Sequence, residues 1–143
     1  MQASVEEFFA DFERRGNAPS AVSDFFDDQF LAMDPNGSTV VRPEQLAAVL
    51  PTRAAMFETV GILGARLAGL QLEELDNTHV LVRTRWESIF AEPGSNPLEL
   101  SSSFFLRRTG QGWRIAVYLN HADIAEVVAR RQGGSRHPER AAK

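Results

Sequence analysis

The chain predicts an α+β fold: a cone-shaped, curved antiparallel sheet wrapped on a long helix, with two shorter N-terminal helices. Three observations carry this. Apolar residues in the first sixty positions recur mainly at spacings of three and four. From about residue 66 to 120 the period falls to two. Turn residues sit between these segments rather than inside them. With 143 residues and 43% hydrophobic content, the chain has the length and material of one domain. We assign residues 1–131 to that domain and 132–143 to a polar tail.

Val5, Phe8, Phe9 and Phe12 share one face of a helix expected over 4–15, with Ser4 and Glu7 spaced as a capping box and Gly16 as its stop. Ser20 to Phe26 reads as a second, shorter helix, broken by Asp27-Asp28. Phe30–Met33 and Thr39–Val41 make a small hairpin around Asp34-Pro35-Asn36-Gly37, where proline presets φ and glycine accepts positive φ. Pro43 opens a long helix to about Val60, with Leu46, Val49, Leu50, Met56 and Phe57 facing inward and Pro51 kinking or interrupting it.

Residues 66–75 alternate loosely and His79–Phe90 alternate well. Val80, Val82, Thr84, Trp86, Ser88 and Phe90 fall on one face. Leu98–Arg108 and Trp113–Asn120 complete an antiparallel meander. Strand parity sets Tyr118 opposite Trp113 and Ile115, on the outer face. Ala122–Arg131 is a short final helix, and residues from Gly133 onward are expected to be mobile.

Composition excludes several functions. With no cysteine there is no disulfide, thiol catalysis or thiolate metal site. Three dispersed histidines give no metal spacing, so no metal is expected. A net charge of −4 gives no argument for nucleic acid. No cofactor is expected, because neither GxGxxG after a strand nor a phosphate loop occurs. No apolar run reaches the ~20 residues of a membrane helix. The acidic start, with Glu6, Glu7, Asp11 and Glu13, is unlike a signal peptide, so a cytoplasmic protein without membrane contact is expected.

A curved sheet on a helix encloses a cavity, and its expected lining is Phe9, Phe12, Phe30, Phe57, Val82, Trp86, Ser101 and Ser103. Such walls suit a small apolar molecule, the serines offering hydroxyls. The same aromatic residues would serve equally as plain core. Asp34 is the candidate base: in an apolar cavity, desolvation would raise its pKa toward a useful range. An aspartate before Pro-x-Gly also makes Asx-turn hydrogen bonds whatever the protein does. His121 is a weaker candidate acid, equally at home as a cap or surface residue. The opposite sheet face, with Leu81, Arg83, Arg85, Glu87 and Ile89, suits a homodimer interface, since arginine is enriched there.

The run from Phe25 to Gly37, with its Phe-Phe-Asp-Asp-Gln-Phe-Leu-Ala-Met-Asp-Pro-Asn-Gly order, resembles the second-helix-to-hairpin segment of the nuclear-transport-factor-2-like superfamily. Gly112-Trp113-Arg114-Ile115 is similar to its final hairpin. The superfamily includes steroid delta-isomerase, scytalone dehydratase, limonene epoxide hydrolase and SnoaL-like polyketide cyclases, and the element order matches over residues 4–130. The resemblance to the isomerases implies Asp34 as base. Their oxyanion-hole tyrosine has no counterpart, since Phe8, Phe9 and Phe12 stand in that helix. Their second aspartate falls on the stretch Ser101-Ser102-Ser103-Phe104. The hydrolase pattern would draw on Arg83 or Arg85 with Asp76, and the cyclase pattern on His121 or His79. The function so implied is a small-molecule-binding domain performing isomerase-, cyclase- or dehydratase-like proton transfer. The alternative is a non-catalytic ligand-binding or dimerisation module.

Overall fold

The computed structural model describes residues 1–135. The elements are α1 (Gln2–Arg15), a 3-10 helix (Pro19–Asp24), β1 (Phe26–Asp34), β2 (Gly37–Val41), α2 (Pro43–Glu58), β3 (Ile62–Glu74), β4 (His79–Phe90), β5 (Glu99–Thr109), β6 (Gly112–Asn120) and α3 (Ile124–Ser135). Among the described residues six strands form one curved, unclosed sheet in the order β2-β1-β6-β5-β4-β3. The expected meander is its larger part. The hairpin joins the same sheet because β1 pairs in parallel with β6, Leu31 opposite Val117 and Met33 opposite Leu119. The sheet is therefore mixed at one seam rather than antiparallel throughout.

The core lies between the inner sheet face and the helices. Val5 and Phe9 of α1, Leu46 and Leu50 of α2, Val80 and Val82 of β4, Phe104 and Leu106 of β5, and Trp113 and Ile115 of β6 are all buried in one cluster. Aromatic edges meet aromatic faces through it. Phe104 takes Phe9 and Phe12 edge-on at ring distances of 5.0 and 5.7 Å and stacks on Tyr118 at 5.1 Å. Such pairs add about 0.5–1.5 kcal/mol each beyond the area they bury.

Several local expectations are corrected. The capping box at Ser4 is absent because α1 starts earlier. The Ser4 hydroxyl donates to Met1 O (2.9 Å) and accepts from Trp113 Nε1 (3.1 Å), tying the helix to β6. Gly16 ends α1 with an ordinary φ of −61°. It is glycine for space, since a Cβ there would lie 2.5 Å from Phe12 O. The second helix is a single 3-10 segment. That helix ends at Asp24, before Asp27-Asp28, and the pair lies within β1, where Arg107 Nη2 pairs with Asp27 at 2.8 Å. Pro51 is exposed, and α2 runs through it to Glu58. Val49 is not an inward residue; it is 51% exposed. The C-terminal helix is longer than expected and continues through Gly133 to Ser135. The remainder of the expected tail, with His137, lies outside the described residues.

Bulges decide which side chains face inward. β3 slips register between Ile62 and Gly64 and again between Leu67 and Gly69, which accounts for its loose alternation. β6 slips opposite Phe105/Leu106: Val117 pairs with Phe105 but Ile115 with Leu106, leaving Ala116 as an extra residue. Parity reverses there. Trp113 and Ile115 point inward before the bulge, and Tyr118 and Asn120 after it. The expectation that Tyr118 lies on the outer face fails for this reason.

Candidate functional site

The stripe of α2 that meets the sheet runs Leu46, Leu50, Arg53, Phe57, at steps of four, three and four. Three members are apolar and one is a guanidinium. Opposite lies the inner wall of the sheet, built by register pairs: Thr84 faces Ser102, Ser102 faces Asn120, and Phe104 faces Tyr118.

That wall is hydrogen-bonded along its length. Trp86 Nε1 donates to Thr84 Oγ1 (2.8 Å), and Thr84 Oγ1 donates to Ser102 O (2.9 Å). Ser102 Oγ donates to Asn120 Oδ1 (2.9 Å). These bonds let Thr84 and Ser102 be buried without the cost of unpaired hydroxyls. They also leave the Asn120 amide N–H groups and the Tyr118 hydroxyl without a partner among the described residues.

Three abutting clefts lie between this wall and α2. The largest, about 530 Å³, is bounded by the β1–β2 hairpin, Leu46, Arg53, Tyr118 and Asn120. A second, about 130 Å³, shares Arg53, Tyr118 and Asn120 with it and adds Phe12, Phe57, Trp86, Leu100 and Ser102. A third, about 170 Å³, continues along Phe57, Ala65 and Leu100 and again includes Arg53. The largest falls in the range of small-molecule pockets. A further groove of about 580 Å³ lies on the Asp27–Arg107 side, but it is polar and its Arg107 is already paired with Asp27.

Asp34 ends β1 and lines the 530 Å³ cleft. Its Oδ1 accepts the Asn36 N–H at 2.8 Å, the Asx-turn bond. Asn36 Nδ2 then donates to Asp123 Oδ2 at 2.7 Å, tying the hairpin to the start of α3. Asp123 also accepts from Glu126 N at 3.3 Å. The Asn36 amide, and then the helix N–H groups, hold the Asp123 carboxyl below its ordinary value.

Phe12, Phe30, Phe57 and Trp86 line clefts, whereas Phe9 and Val82 are wholly buried core. Ser101 and Ser103 do not line the three clefts. Phe104, Leu106 and Ser102 are the inward set of β5, so the neighbouring serines face away. Ser103 Oγ meets His121 Nε2 at 2.7 Å there, and His121, an exposed side chain, is likewise off the cleft walls. Sequence reasoning missed Arg53, Ser102, Tyr118 and Asn120. Arg53 was open to discovery as a charge inside an apolar helical stripe. Tyr118 and Asn120 were hidden by a bulge that leaves no mark in composition. Among the described residues no three His, Asp or Glu side chains come together as a metal site, and no helix is long and apolar enough to cross a membrane.

Solved structures share this architecture. Aln2 from a Streptomyces species is 18% identical, with 90% of this chain and 94% of that chain covered and a TM-score of 0.68. An NTF2-like protein with a cystatin-like fold from Novosphingobium aromaticivorans is 14% identical, with 89% and 87% covered and a TM-score of 0.66. A protein of unknown function with a cystatin-like fold from Nostoc punctiforme is 14% identical, with 85% and 90% covered and a TM-score of 0.63. At these identities the likeness is one of fold. A search of the curated proteins finds no match. The sequence model of the family described as NTF2-like protein (DUF6841) matches residues 1–123, and the chain belongs to that family.

Proposed function

We propose that this protein is a small-molecule-binding domain whose ligand seats in the abutting clefts between α2 and the inner sheet face. The observation that carries this is the wall itself. Trp86, Thr84, Ser102 and Asn120 form a fixed hydrogen-bonded track beside Phe12, Phe57 and Leu100. A surface that is mostly apolar with a few oriented polar groups is what holds and orients a small organic molecule.

The test is a titration with N-phenyl-1-naphthylamine, a neutral aromatic probe, followed by NMR of the indole N–H groups. The chain has two tryptophans. Trp86 lines a cleft and Trp113 sits under α1. Binding in the cleft shifts the Trp86 resonance and leaves that of Trp113 in place. Ala65→Trp, which places a bulky ring in two of the clefts, should abolish the shift. A shift that survives in Ala65→Trp, or no saturable shift at all, overturns the reading.

A second reading, proton transfer by Asp34, is favoured by its place among the residues that line the 530 Å³ cleft with Tyr118 and Asn120. A base needs donors for the charge that develops on the substrate. The Tyr118 hydroxyl and Asn120 amide would be those donors.

A further inference from the structure

We infer that the ligand is an organic acid, an apolar body carrying one anionic group, and that Arg53 receives the anion. The inference rests on the binding reading above and names its chemical class.

Arg53 lines all three clefts. It is half-buried within the apolar stripe between Leu50 and Phe57. Most of its sister arginines that bear on the sheet are occupied. Arg66 pairs with Glu87, Arg85 with Glu99 and Arg107 with Asp27. Arg114 donates to Trp113 O. Arg53 has no hydrogen bond, ion pair or ring contact with any described residue. Three carboxylates line the same clefts, and none of them meets it. Asp34 accepts the Asn36 N–H, Glu13 accepts the Leu67 N–H at 2.7 Å, and Glu58 is exposed.

A guanidinium half removed from water without a counter-charge is unfavourable, and its planar fork of donors fits a carboxylate, sulfonate or phenolate. Tyr118 and Asn120 line the same two clefts as Arg53, and in this proposal the hydroxyl and the amide join the guanidinium around one anion. The aromatic and aliphatic surface of Phe57, Trp86 and Leu100 takes the rest of the molecule.

The test uses two probes that differ by one group. 8-Anilinonaphthalene-1-sulfonate has the body of N-phenyl-1-naphthylamine plus a sulfonate. Both are titrated by fluorescence into wild type, Arg53→Gln and Arg53→Lys, with the Trp86 indole resonance reporting the place of binding. The sulfonate should bind the wild type about tenfold tighter or more, the size of one charge-assisted hydrogen bond. Arg53→Gln should erase that advantage, so that the two probes bind the variant with equal affinity. Arg53→Lys should retain part of it, and thermal unfolding shows that both variants are folded. A sulfonate advantage that is absent from wild type, or that persists in Arg53→Gln, overturns the anion site while neutral binding keeps the cavity reading. Failure of both probes overturns the two together.

Discussion

Asp34 shows how one residue can satisfy two readings, and how chemistry separates them. Its Oδ1 holds the Asn36 N–H in the hairpin turn. Asparagine keeps that acceptor and loses the base; alanine loses both. Asp34→Ala should therefore destabilise the protein by about 0.5–2 kcal/mol, by analogy with capping side chains. Asp34→Asn should stay within about 0.5 kcal/mol of wild type. Urea unfolding of the three proteins checks this. With an isomerisable or cyclisable substrate in hand, loss of turnover in the asparagine variant at unchanged stability would mark a base. Arg53 poses the complementary case at the same scale. Its type and position are plain in the sequence, but its lack of a partner exists only in three dimensions.

At the scale of elements, the extra residue Ala116 in β6 has the largest consequence. Before it, Trp113 and Ile115 complete the core; after it, Tyr118 and Asn120 complete the cleft wall. Deleting Ala116 should restore strict alternation, turn Tyr118 and Asn120 to the outer face and expel Tyr118 from its stack on Phe104. The expected result is a lower melting temperature and loss of probe binding. Ala116→Ser, which keeps the bulge, should change stability by less than about 1 kcal/mol. A deletion variant that binds the probe like wild type would show that the bulge does not set the wall. Helix α2 teaches a related point. Its inward stripe tolerates one cation because the wall opposite is cleft rather than packed core.

Across the whole molecule, cohesion comes from aromatic packing between α1 and the central strands. Phe104 is the junction, touching Phe9 and Phe12 on one side and Tyr118 on the other. Phe104→Ala should cost about 3–5 kcal/mol, the range for a buried phenylalanine, read from the midpoint of denaturant unfolding. A much smaller loss would mean that the neighbouring rings collapse into the space. The parallel β1–β6 pairing closes the fold by joining residues near the start of the chain to residues near its end. Contacts of such sequence separation slow folding relative to hairpin pairing. Association of two copies through the outer sheet face remains a proposal for sedimentation to test, since Ile89 is 48% exposed there while Arg85 and Arg66 are held in ion pairs.

Local signals in the chain were enough for the class of fold and the order of its elements. The apolar spacing of α1 and α2, the alternation of β4 and the Pro-Asn-Gly turn are local signals, and local signals survive without a structure. The chain also carried the resemblance that the family match bears out. Tertiary structure decided the rest. The hairpin's place beside β6 depends on pairs such as Leu31 with Val117, far apart along the chain, and no short window of sequence contains both strands. The choice of Ser102 over Ser101 and Ser103 depends on which face of β5 the helices cover. The inward turn of Tyr118 and Asn120 depends on a bulge. The isolation of Arg53 depends on what every other side chain does. Periodicity says how side chains alternate; only packing says which set meets the helices, and the candidate site is made almost wholly of that second kind of information.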